Sequence, residues 1–125
     1  YGHAVEANDC DLAVHLGDYI YEYGIDNYPN PSQAAPGRVI DPTTEIVALT
    51  DYRLRYATYR ADPDCQRLHQ VLPMIAVWDD HETANDSWKD GAQNHQSASE
   101  GDWETRKAAA RQAYREWMPV SDEVY

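Results

Sequence analysis

Five acidic or imidazole side chains follow directly on two short apolar runs: Asp18 closes Leu12–Asp18, and Asp79, Asp80, His81 and Glu82 follow Met74–Trp78. If the two runs are parallel strands, all five side chains meet at the carboxyl edge of one sheet, where open α/β sheets place their ligands. Hard carboxylate oxygens with one imidazole suit a polynuclear site for iron, manganese, zinc or calcium. Without cations, three carboxylates so close together would repel one another or take up protons. The local alternative for any single one of these acids is an N-cap to a helix that follows a strand.

These strands need helices between them to run parallel, and the sequence supplies candidates. Residues 26–44 hold four of the seven prolines (Pro29, Pro31, Pro36, Pro42) among Asn, Ser and Gly, which predicts a long irregular excursion. Thr43 or Thr44 then offers an N-cap, and Ile46, Leu49, Tyr52, Tyr56 and Tyr59 recur at helical spacing, predicting an amphipathic helix over 45–61. Asp62-Pro63 reads as an N-cap with proline at the first helical position. Cys65, Leu68, Val71 and Leu72 form its apolar stripe before Pro73. Residues 85–102 read as a polar loop. A last helix is expected over Trp103–Met118, with Trp103, Ala110, Tyr114 and Trp117 inward, Lys107, Arg111 and Arg115 outward, and Pro119 ending it.

The 125 residues allow one domain or a piece of a larger one. Ten Lys and Arg against 22 Asp and Glu leave a formal charge of −12, the wrong sign for gripping a nucleic-acid backbone through basic patches. No run approaches the ~20 apolar residues of a membrane span. Ten Tyr and four Trp with no Phe make the aromatic content amphipathic. Cys10 and Cys65 lack any C-x-x-C spacing and are read as buried free thiols, with a single disulfide left open. The chain begins at Tyr1 without a leader-like segment, and we expect it to be cut from something longer.

Gly17-Asp18 with Tyr21 three residues on resembles the Gly-Asp-x-x-Asp/Tyr signature of calcineurin-like metallophosphoesterases. Asp80-His81-Glu82 resembles their Gly-Asn-His-Asp/Glu motif, with Asp79 in place of Gly and Asp80 in place of Asn. Five blocks in order resemble the PhoD family of alkaline phosphatases: 15–24 (His-Leu-Gly-Asp-Tyr-Ile-Tyr-Glu-Tyr-Gly), 51–56 (Asp-Tyr-Arg-Leu-Arg-Tyr), 62–69 (Asp-Pro-Asp-Cys-Gln-Arg-Leu-His), 78–82 (Trp-Asp-Asp-His-Glu) and 116–119 (Glu-Trp-Met-Pro). The resemblance implies a secreted, calcium-dependent phosphomonoesterase and phosphodiesterase with ferric iron and calcium, in which activated water or hydroxide attacks phosphorus. It implies the central fragment of a metallophosphoesterase-type β-sandwich core flanked by helices, an α/β fold. Residues 1–125 would then be part of one catalytic domain, incomplete at both ends. On this resemblance Asp18 bridges metals, Tyr21 binds iron as a phenolate, Asp80 binds metal, and His81 is the catalytic imidazole with Glu82 able to orient it. The family's Ser-Cys-Gln iron ligand is expected before residue 1 and further metal ligands after residue 125. Cys10 lies out of that context.

Weaker candidates have plainer readings. Arg53 or Arg55 could fork onto a phosphate oxygen, but a solvated helix face or an ion pair explains them as well. Asn85 and Asp86 fit either outer calcium contacts or a capped turn. Trp88 and Trp103 could line a substrate mouth or pack in the core. His3, His15 and His69 have no telling partners, and His95 in its polar loop is expected to be solvated. Two rival functions stand beside the phosphatase: a phosphodiesterase acting on phospholipid or wall polymer, and a non-catalytic calcium- or carbohydrate-binding module.

Overall fold

The computed structural model describes residues 1–7, 9–28, 30 and 32–121. The elements run α1 (Gly2–Ala7), β1 (Ala13–His15), α2 (Leu49–Arg60), α3 (Pro63–Val71), β2 (Met74–Ala76), α4 (Ser97–Glu100) and α5 (Trp103–Trp117). β1 and β2 pair in parallel, with Ala13 opposite Met74, Val14 opposite Ile75 and His15 opposite Ala76. The two apolar runs therefore end side by side, as their acidic tips require. Both strands are shorter than the runs that predict them, because the chain turns at Gly17 (φ 103°) and Asp18 (φ 57°) on one side and leaves the ladder after Ala76 on the other.

Short runs apolar throughout suit strands buried on both faces, and here the structure differs. Val14 and Ile75, register partners, are 59% and 58% exposed, and Leu16 is exposed with them. Only the other face packs inward, where Met74, Ala76 and Trp78 meet Tyr19, Tyr56 and Tyr114. A strand is buried twice only when a second layer covers it. Among the described residues there is one two-stranded sheet and no second sheet.

Helix α2 starts four residues later than its periodicity suggests. The backbone at 43–46 is already committed: the Ile25 amide donates to the Thr43 carbonyl at 2.8 Å, and the Ile46 amide to the Glu22 carbonyl at 3.0 Å. Asp51 caps the helix instead, its carboxylate accepting from the Val47 and Ala48 amides. Asp62 caps α3 as expected, accepting from the Cys65 amide at 3.0 Å, with Pro63 at the first position. α2 packs on α5 through Tyr52, Tyr56, Ala110, Ala113 and Tyr114, all buried. The loop 85–102 is more ordered than expected: it holds an isolated Trp88–Gly91 bridge and the single turn α4.

Two arginines are fully buried. Arg55, on α2, spans two loops: Nη1 donates to the Tyr21 and Tyr23 carbonyls, and Nη2 to those of Pro42 and Thr44 at 2.8 and 3.0 Å. Arg106, on α5, donates to the Tyr52 hydroxyl, the Asn94 carbonyl, Glu45 and Glu100. A buried guanidinium needs partners for its donors, and both arginines spend most of theirs on the loops around the strand tips; Arg55 Nε alone is buried without one. Neither Arg53 nor Arg55 lies on a solvated face free to take phosphate: Arg55 is the buried clamp, and Arg53 pairs with Glu116 through two bonds of 2.6 Å.

Candidate metal centre

Asp18, Asp80 and His81 come together at the carboxyl edge of the sheet. Each offers a ligand atom, and these lie within 4.8 Å of one another. Asp18 sits in the left-handed region just past Gly17, a conformation that Asp adopts more readily than most residues but that still costs about 1–2 kcal/mol. Gly17 is required there. A Cβ on it would lie 2.5 Å from the Asp79 Cβ and 2.7 Å from the Asp79 amide nitrogen, so glycine lets the tips of β1 and β2 touch.

The tip is organised from beneath by Glu82, which is buried. Its carboxylate accepts from the amides of Asp18 (3.1 Å), Tyr19 and Asp79 (2.6 Å), tying the end of β1 to the turn after β2. Burial raises its pKa, and these three amides work against that rise. Glu82 therefore does not orient His81, as had been expected. That task falls to Glu22, wholly buried, whose Oε2 lies 2.8 Å from His81 Nδ1 while Oε1 accepts from the Asn85 amide (2.7 Å) and the Asn94 side chain (2.9 Å). Adjacent residues of a turn point in different directions, so Glu82 cannot reach back to its neighbour's ring. Glu22 arrives from the opposite loop. Burial by itself would lower the His81 pKa, but Glu22, with Asp80 and Asp18 behind it, outweighs burial and raises it. Glu22 was missed in the sequence, where its signal is faint: one acid inside an otherwise aromatic and aliphatic stretch, Tyr19-Ile20-Tyr21-Glu22-Tyr23.

Tyr21 stands at the same place. Its hydroxyl donates to Asp18 Oδ2 at 3.3 Å, and its ring lies 4.4 Å from that of His81. Burial, then the Asp18 charge, pushes the phenol up to about 12, so deprotonating it near neutral pH needs a strongly Lewis-acidic partner. Asp18 Oδ1 is buried and has no hydrogen-bond partner. A carboxylate with one orphaned oxygen, grouped with a second carboxylate, an imidazole and a phenol, is the donor set a hard cation takes. Asp80 is held in this group by its Oδ2, which accepts from the Asp86 amide where the chain turns at positive φ.

A family model described as PhoD-like phosphatase matches residues 1–124. The chain belongs to the PhoD-like phosphatase family. It is 42% identical over 111 residues to alkaline phosphatase D of Bacillus subtilis (strain 168), a match covering 88% of this chain and 18% of that protein. Among solved structures it is similar to one described as the structure of PhoD, with a TM-score of 0.78 and 39% identity, covering 98% of this chain and 22% of that one. The chain thus spans about one fifth of the length of the relatives it matches.

Other candidates in this PhoD-like chain lie elsewhere. Asn85 and Asp86 act within the turn, Asn85 through its amide on Glu22 and its side chain on Gln93. Trp103 is buried, donating to the Lys89 carbonyl, whereas Trp88 is exposed. The His95 side chain is 2% exposed rather than solvated, because Glu100, Arg106 and the Trp103 ring enclose it. His69 hydrogen-bonds the Tyr19 hydroxyl and His15 that of Tyr1. Both cysteines are free, but only Cys65 is buried; Cys10 is exposed beside Asp9, contrary to expectation, because it precedes β1 in an open connection. Lys107 bonds Glu104 and the Lys89 carbonyl instead of standing free in solvent.

Proposed function

We infer that the protein carrying this chain is a metal-dependent phosphoesterase of the alkaline phosphatase type, acting on phosphate monoesters and diesters. Residues 1–125 are then a portion of its catalytic domain, within a sandwich-type α/β core. The observation that carries the reading is the cluster of Asp18, Asp80 and His81, in which Asp18 keeps a buried oxygen, Oδ1, without a hydrogen-bond partner. Asp18, Tyr21 and Asp80 would hold the cations: ferric iron at the phenol, calcium at the carboxylates. Bound there, the cations supply Lewis acidity toward the phosphate oxygens and acidify water for attack on phosphorus.

The chain's own residues do the rest. Glu22 holds His81 by Nδ1, leaving Nε2 for the substrate. With both ring nitrogens protonated, Nε2–H donates its proton to the leaving oxygen as the P–O bond breaks, giving the free alcohol and inorganic phosphate. Glu82 keeps Asp18 and Asp79 in register through their amides, and Arg55 keeps Tyr21 and Glu22 on the His81 side. The −12 charge fits this reading, since part of it is ligand charge that cations offset. Among the described residues no helix is long and apolar enough to cross a membrane. A secreted location belongs to the same reading, on the strength of the family.

The test is release of phosphate from a simple alkyl phosphate by the full-length protein, with Asp18→Asn and His81→Ala variants and metal content measured in parallel. Asp18→Asn should lower bound metal and activity together, and His81→Ala should lower activity with metal retained. Full turnover in both variants would sink the assignment. Comparing monoester with diester rates separates the alkaline phosphatase from a diesterase. Calcium or glycan binding without phosphate release would favour the non-catalytic module.

A further inference from the structure

Beyond the carboxylates, the surface around His81 is aromatic. Tyr21 lies 4.4 Å from the His81 ring at an interplanar angle of 35°, and Tyr23 lies 5.6 Å from it at 57°. Tyr28 extends the group outward, 4.8 Å from Tyr21 at 42° and 6.3 Å from Tyr23 at 65°. None of these pairs is parallel, so the rings form a corner and not a closed stack. Although packed against two rings, Tyr28 is 45% exposed, and Tyr23 is half-buried.

The corner is held before any ligand arrives. Arg55 clamps the Tyr21 and Tyr23 carbonyls, the Ile25 amide bonds Thr43, and the Asn27 and Tyr28 amides both donate to the Gly24 carbonyl. A preorganised aromatic surface loses little entropy on binding.

Resting on the phosphoesterase reading above, we propose that Tyr23 and Tyr28 form a subsite for a flat, uncharged ring on the leaving side of the ester. The favoured substrates are monoesters of ring-bearing primary alcohols, nucleosides among them, over open-chain alcohols such as glycerol. The phosphate takes the carboxylate side of His81, and the ring takes the tyrosine side.

The test compares kcat/KM of the full-length protein for adenosine monophosphate, esterified at the primary hydroxyl, and glycerol phosphate, esterified likewise. Both expel a primary alkoxide, so the ratio reports ring binding and not leaving-group basicity. The wild type should favour the nucleotide. Tyr28→Ala should reduce that ratio about tenfold, the size of one base stacked on one aromatic side chain, mainly through KM, and Tyr28→Trp should restore it. Equal ratios in wild type and Tyr28→Ala, or an equal loss on both substrates, would overturn the subsite while leaving the phosphoesterase reading intact. Calorimetric binding of adenosine monophosphate, weakened by Tyr28→Ala and without phosphate release, would keep the subsite and overturn the phosphoesterase reading.

Discussion

Replacing Glu22 with Gln changes one buried atom from oxygen to nitrogen, and the surrounding bonds dictate how the new amide must sit. Oε1 accepts two N–H groups, from Asn85 at 2.7 Å and Asn94 at 2.9 Å, whereas Oε2 meets only His81 Nδ1 at 2.8 Å. The amide oxygen must stay on the side with two donors, because turning the group around would set NH2 against both. Its NH2 then faces Nδ1, which must become an acceptor, and the ring proton moves to Nε2. In this arrangement the imidazolium is disfavoured, since Nδ1–H would point at a donor. Proton donation to the leaving oxygen is the step that suffers. Proton transfer by a positioned side chain contributes roughly 10²–10⁴-fold, or about 3–5 kcal/mol of barrier. We expect Glu22→Gln to slow kcat for a simple alkyl phosphate by about a hundredfold or more. A nitrophenyl phosphate, whose leaving oxygen needs no proton, should lose only a few-fold. The assay is phosphate release from the two esters by the full-length protein, with far-ultraviolet circular dichroism to confirm folding. An equal loss on both esters, or no loss on the alkyl ester, would refute the role assigned to Glu22 and His81.

Two further outcomes follow from the packing. Gly17→Ala should destabilise the protein by about 1–3 kcal/mol, since its Cβ would meet Asp79 at 2.5 Å in a backbone conformation unfavourable to alanine. Urea denaturation and phosphate release should both register this change, and an unaltered midpoint would show that the two tips do not touch as described. Glu116 has its carboxyl held down at about 2, by Arg53 first and Gln112 next, against an ordinary value near 4.5. Its folded pKa is depressed, so the pairing contributes to stability fully above about 4.5, and the contribution is lost as pH falls through about 2. Arg53→Gln should raise the Glu116 pKa in a carbon-detected nuclear magnetic resonance titration and remove stability in the neutral range but not at the acid extreme. An unmoved Glu116 would rule out the pair in solution.

The sequence alone determined what is local. Apolar runs ending in acids marked the two strand tips, and with helices between them the runs had to lie parallel. Asp62-Pro63 announced a helix start, and Gly17-Asp18, Tyr21 and Asp80-His81 were legible as one group because strand topology brings tips together whatever the details. Residue type and spacing suffice for such features, since caps, turns and periodicity act within a few residues. Tertiary structure alone decided who partners whom. That Glu22 and not Glu82 holds His81, that Arg55 is a buried clamp, that α2 waits until Leu49, and that His95 is enclosed all rest on contacts between segments far apart in the chain. The physical reason is common to them: a buried polar group must find a partner, and several partners are chemically equal in the sequence. Which one lies within hydrogen-bond distance is set by how the loops pack around the strand tips.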